Sequence, residues 1–241
     1  DSGITRDPEE DLFANPYDAD GNWDGAKVLE MMSQVTQNVS SSRFDTARCG
    51  AEVALGPYIM SGPTAVAELA NQVKTKLEER IQHLQGPTVD KPPGYSSATD
   101  AVEHAKALLE DVEGIPRDIA AQTLDLLRLS PLAEALFVTT VADPDSGADG
   151  MEVAAMAEVG GAIAPFNLIT GSGWADIEYL FTTTLPSEPG VSYAIVLVQE
   201  DSDSGHFVNA GSDPIGNVYL HDPWPREGNQ TLWYPGEQEE I

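Results

Sequence analysis

Basic residues are scarce in this chain of 241 residues: 12 Lys and Arg stand against 40 Asp and Glu, a formal net charge of −28. A surface of that sign repels phosphate backbones, so nucleic acid is excluded as an expected partner, and anionic membranes are disfavoured for the same reason. The acid is spread along the chain, not gathered in one tail. That is the pattern of a solvated acidic surface, suited to a high-salt habitat or a basic partner. Cysteine is nearly missing too. A single residue, Cys49, excludes an internal disulfide framework and a Cys-based zinc site. No apolar run approaches the length that spans a bilayer. Asp1 to Thr5 lack the basic start and apolar centre of a signal peptide, and no Met precedes them, as in a fragment or a processed product. These absences lead to the expectation of a soluble protein, cytoplasmic or exported as an effector, with no cofactor.

What is present suffices for a core. Hydrophobic residues make up 41% of the chain, enough for one large domain or two small ones. Residues 1–25 read as a turn-rich entry segment, with Asp7-Pro8, Asn15-Pro16, Asp20-Gly21 and Asp24-Gly25 as turn signals. Within it, Asp18 to Asp24 departs from a calcium loop: Trp23 and Leu29 stand where an EF-hand has Gly and Glu. An acidic turn is the reading. Apolar residues at three- and four-residue spacing predict helices over 26–37, from Thr46 or Cys49 to about Pro57, from about Thr64 to Leu84, and from Ser97 through Val112. Pro116 reads as the first turn of a separate helix. Ser130-Pro131 opens another, to about Thr140, and shorter helices are expected over about 151–159 and 174–184.

The last third changes character. Tyr193–Val198, His206–Ala210 and Asn217–Leu220 read as strands, with Trp224, Trp233 and Tyr234 closing the sheet. Helices first and an antiparallel sheet afterwards is the α+β pattern. A single domain over 26–241 is expected, with a helical elaboration at about 64–160, because the candidate chemistry spans both halves.

That chemistry centres on Cys49, placed where a polar loop turns into a helix. The partial positive charge and free N–H groups of a helix start favour thiolate over thiol. His206 opens a strand immediately after Gly205, and Asp222 ends the next strand. Cysteine attack on an amide needs a thiolate, a base that later serves as acid, and an orienting group for that base. Cys49, His206 and Asp222 supply those three roles. The neighbouring His221 alternates with Asp222 and is expected to point away from the cleft. His83 and His104 read as surface residues on helices. Cys49, His206, His221 and Asp222 lack the spacing of a metal set.

These residues resemble a known group. Cys49-Gly50-Ala51 at a helix start is similar to the nucleophile segment of papain-like cysteine peptidases. Gly205-His206-Phe207-Val208, a turn, and Asn217-Val218-Tyr219-Leu220-His221-Asp222-Pro223 resemble the His-strand-turn-strand-Asp-Pro segment of a bacterial branch of that superfamily, the C39-like peptidases and papain-like toxin domains. The likeness covers about 35–60 and 190–225. It implies a papain-like fold, thiol chemistry and a protein or peptide substrate attacked at an amide bond. The acidic surface favours basic substrates. Peptidase, deamidase and transamidase activities stay open, as does a degenerate papain-like interaction module. Such enzymes place a Gln side chain shortly before the nucleophile to hold the developing oxyanion. Here Arg43 stands six residues before Cys49, and Gln37, returned by the loop Val39–Arg48, is the expected donor.

Overall fold

The structure, a computed structural model, describes residues 16–38, 48–87, 89–92, 94–140, 167–168, 174–198, 205–213, 215–223 and 232–233. The expected helix at about 151–159, together with Trp224 and Tyr234, lies outside these residues. Five helices come first: α1 (Gly25–Asn38), α2 (Arg48–Ser61), α3 (Pro63–Leu84), α4 (Ala98–Ala120) and α5 (Leu129–Thr140). After them come the short strand β1 (Asn167–Leu168) and the helix α6 (Trp174–Tyr179). The helical path continues as a π-helix over Leu180–Thr184 and a last α turn at Leu185–Ser187. Strands β2 (Ser192–Val198), β3 (Gly205–Ser212), β4 (Val218–His221) and β5 (Leu232–Trp233) follow. The sheet runs β1-β2-β3-β4-β5, antiparallel except for the parallel β1–β2 pair. The fold is α+β, as expected from the order of patterns.

Helix α2 sits at the centre. Every residue from Gly50 to Gly56 is buried. The helix packs on α1, α3 and α5, and on β3 of the sheet. A helix buried all round belongs inside a domain, not on its surface. Its composition, Ala51, Val53, Ala54 and Leu55 around two glycines, permits that close approach. Helices α3 and α4 pack on one another along their length, and both pack on α5. Ser97 caps α4 by accepting a hydrogen bond from the Asp100 N–H at 3.0 Å.

Pro116 does not start a new helix. It lies inside α4, which runs unbroken to Ala120. The apolar stripe explains this: Ala101, Ala105, Leu108, Val112 and Ile115 are all buried, and Ile119 packs against the same core. Burial along a continuous stripe outweighs the hydrogen bond that a proline nitrogen cannot donate. Pro57 is likewise carried inside α2. Pro186, expected to lie beyond the end of the helix over 174–184, also falls within the helical path.

The sheet has two faces with different neighbours. Tyr219 of β4 belongs to the large helical core, whereas Tyr193 and Ala210 join Leu180 and Leu185 in a smaller cluster, with Val218 and Leu220 against it. On the helix side the ring of Tyr219 lies over Gly211, its register partner. A Cβ at Gly211 would come within 2.5 Å of the ring. Glycine is therefore required by close approach and not by backbone angle.

The Gly211→Ala variant is expected to lose about 1–3 kcal/mol, because a buried tyrosine must leave its rotamer. The urea midpoint measures this, and a Tyr219→Leu background is expected to erase most of the penalty. An unchanged midpoint in the single variant would show that the ring moves aside without cost.

Candidate active site

Cys49 is the second residue of α2, at the helix start where the sequence places it. Its side chain, with those of Gln37 and His206, lies outside the described residues, so their positions are those of the backbone. His206 is the second residue of β3, paired in register with Leu197 of β2. Gln37 is the last residue but one of α1, which packs on α2. Asp222 follows β4 directly and is half-buried.

Two anchors fix how α2 lies along β3. At its middle, Gly56 faces the sheet: a Cβ there would lie 3.7 Å from Asn209 Oδ1 and 3.8 Å from His221 Nδ1. At its end, Met60, Ser61 and Gly62 share a groove with Asp213 and Ile215, which follow β3. Helix and strand thus run in the same sense. From the Gly56–Asn209 contact, seven residues back along the helix reach Cys49, a rise of about 10.5 Å. Three residues back along the strand reach His206, about 10 Å. The two positions come to the same level.

His221 lies on the opposite side of the sheet from Asp222, as alternation predicts. It is fully buried, at 0% exposure, on the α2 side of the sheet beside Asn209, its register partner. Here the face away from Asp222 is the one covered by α2. Burial pushes the imidazole down to about 4, against the smaller opposing effect of the Asp222 charge. Gly56 lies about two turns from Cys49 along α2, so His221 packs at the middle of the helix and not at its start. It is a packing residue of the helix–sheet interface.

Ladder alternation has a second consequence. Positions 209 and 221 face α2, so positions 206 and 222 share the opposite side of the sheet. His206 and Asp222 thus belong to one side, as an imidazole and its orienting carboxylate require.

Two buried polar groups were not singled out by the sequence reading. Glu52, one turn past Cys49 along the central helix, is completely buried. A lone acid inside the run Gly50-Ala51-Glu52-Val53-Ala54-Leu55 was its signal. Asn209 is buried as well. Its Nδ2 donates to Ser192 Oγ and, at 3.2 Å, to the carbonyl of Tyr193, while its Oδ1 accepts no hydrogen bond from the described residues. No pattern marked it, since Asn in a strand is unremarkable until its neighbours are known. His104 also differs from expectation. Its ring is largely enclosed, with Nδ1 at 2.8 Å from the Tyr95 hydroxyl and Nε2 at 3.1 Å from Glu134. His83 is exposed, as read.

Asp18 accepts the N–H groups of Asp20 and Asn22 at 2.9 and 2.8 Å, closing the acidic turn read from the sequence. Among the described residues, no three His, Cys, Asp or Glu side chains are grouped to hold a metal ion. Nor is any described helix long and apolar enough to cross a membrane. Comparison with protein-family models, curated proteins and solved structures gave no match.

His221 makes stability depend on pH. Its folded-state value is depressed below the ordinary 6.5, so its contribution is complete above pH 6.5. It is lost as the pH falls from there to about 4, on the order of 3 kcal/mol in all. Urea midpoints measured between pH 7 and 5 are expected to fall more steeply for the native chain than for His221→Gln. Parallel slopes would mean that the imidazole is not buried in solution.

Proposed function

We propose that this chain is a papain-like thiol hydrolase of amide bonds, with Cys49 as nucleophile, His206 as base and then acid, and Asp222 as its orienting carboxylate. The observation that carries the reading is the common level of Cys49 and His206 on a helix and strand that lie side by side in the same sense. The start of α2 offers its free N–H groups to a thiolate there.

The chemistry follows in two steps. The Cys49 thiolate adds to the amide carbonyl carbon, and the C–N bond breaks as His206 returns its proton to the leaving nitrogen. Water, deprotonated by His206, then adds to the thioester and releases the acid and the thiol. The Cys49 backbone N–H and the Gln37 side chain are the proposed oxyanion donors, since α1, which carries Gln37 near its end, packs against α2. Peptide bonds and glutamine side chains both fit this sequence of steps.

Ladder alternation favours a second reading, a catalytically degenerate interaction module. Position 206 falls on the side of the sheet away from α2. The hydrolase reading therefore requires the imidazole to reach the thiol around the first residues of β3, not across the face of the sheet.

Iodoacetamide separates the two. Between pH 5 and 7 the native Cys49 is expected to be alkylated about tenfold faster than free cysteine, and His206→Ala is expected to remove that advantage. Cys49→Ala is expected to abolish turnover with a melting temperature within a few degrees of native. Alkylation at the rate of free cysteine in both proteins would eliminate the hydrolase and leave the module.

A further inference from the structure

The other end of α2 carries a second feature. A groove of about 510 Å³ opens between the end of α2, the start of α1 and the β3–β4 turn. That volume lies within the range of sites that take a small ligand or a few peptide side chains, about 300–1,000 Å³. Its wall includes three carboxylates, Asp18, Asp24 and Asp213, and three apolar groups, Trp23, Met60 and Ile215. None of the lining residues is basic.

The carboxylates are fixed in position. Asp213 Oδ1 accepts the N–H groups of Ile215 and Asn217 at 3.0 and 2.8 Å, and its Oδ2 accepts from Asn217 Nδ2 at 2.8 Å. Asp24 accepts the Lys27 N–H at 3.0 Å. Hydrogen bonds from Asn22 hold the Asp18 carboxyl below its usual range, so it stays charged. Trp23 is clamped by its own bond to the Ile59 carbonyl at 2.8 Å. Ile215, by contrast, is 85% exposed. A large aliphatic side chain held in water beside fixed carboxylates suits one ligand class: a cation flanked by apolar groups.

We propose that this groove binds a segment of a partner polypeptide in which lysine or arginine adjoins an aliphatic side chain. Cations meet Asp18, Asp24 and Asp213, and the aliphatic group covers Ile215 and Met60. Met60 is eleven residues from Cys49 along α2, about 16 Å. The groove is thus a docking site apart from the proposed thiol centre and does not depend on it.

The test uses the full chain carrying Cys49→Ala, so that no probe is cleaved. Calorimetry in 0.15 M NaCl compares acetyl-Leu-Lys-Arg-Leu-amide, acetyl-Gly-Lys-Arg-Gly-amide and spermine. The leucine peptide is expected to bind at least about tenfold tighter than the other two. Ile215→Lys is expected to weaken it by about tenfold or more at an unchanged melting temperature, and Ile215→Ser by less. Three results would each overturn the proposal. The glycine peptide or spermine could bind as well as the leucine peptide, which is attraction to the acidic surface only. The leucine peptide could fail to bind. Affinity could also survive Ile215→Lys in a folded protein.

Discussion

Everything in the described part of this molecule is arranged around a helix that has no solvent face from Gly50 to Gly56. Residues Gly50 to Gly56 of α2 are enclosed by helices on several sides and by the sheet on another. Such a helix cannot be steered by amphipathicity, because it has no polar side to leave in water. Its position is set by shape: small residues allow close approach, and Gly56 admits Asn209 and His221 of the sheet. Burial of this kind also raises the stakes for polar groups. Glu52, Asn209 and His221 are all removed from water within the same layer, and each would be costly if its surroundings were altered.

That arrangement bears on chemistry through geometry, not through composition. A helix advances about 1.5 Å per residue and a strand about 3.3 Å. Residues that meet at the contact between them therefore diverge in number while remaining level in space. Cys49 and His206, far apart in the chain, are set level by the Gly56–Asn209 contact and by the shared groove at the far end of α2. The same contact places His221 at the middle of α2, although it lies one residue from the proposed orienting aspartate.

Much of the fold was legible in the sequence, and the places where it was not have specific causes. Helices α1, α3 and α5 and strands β2 to β4 fell within a few residues of their expected limits, because their apolar periods are long and are bounded by glycine, proline or polar turns. Pro116 misled because local punctuation was weighed above a stripe of buried residues that continues through it. The burial of His221 was hidden for a different reason. Alternation correctly separated it from Asp222, but no sequence signal tells which face of a sheet is covered. His104 was hidden similarly: its partner Tyr95 precedes the helix and Glu134 belongs to another one. The register of Cys49 against His206 depends on long-range contacts of Gly56 and Met60 that no local pattern encodes.

The entry hairpin has a reach out of proportion to its size. Tyr17 and Trp23 pair across it and meet edge to face. The Trp23 indole donates to the carbonyl of Ile59, and the Tyr17 hydroxyl to the carbonyl of Ile119 at 3.1 Å. Both carbonyls lie in the last turn of a helix carrying an internal proline, where each also accepts the N–H of the residue three positions on, Gly62 and Gln122. A few residues near the beginning of the chain thus clasp two helix ends that are sixty residues apart in the numbering. Fraying at either end is tied to loosening of the same small turn, so the two ends open and close as one unit.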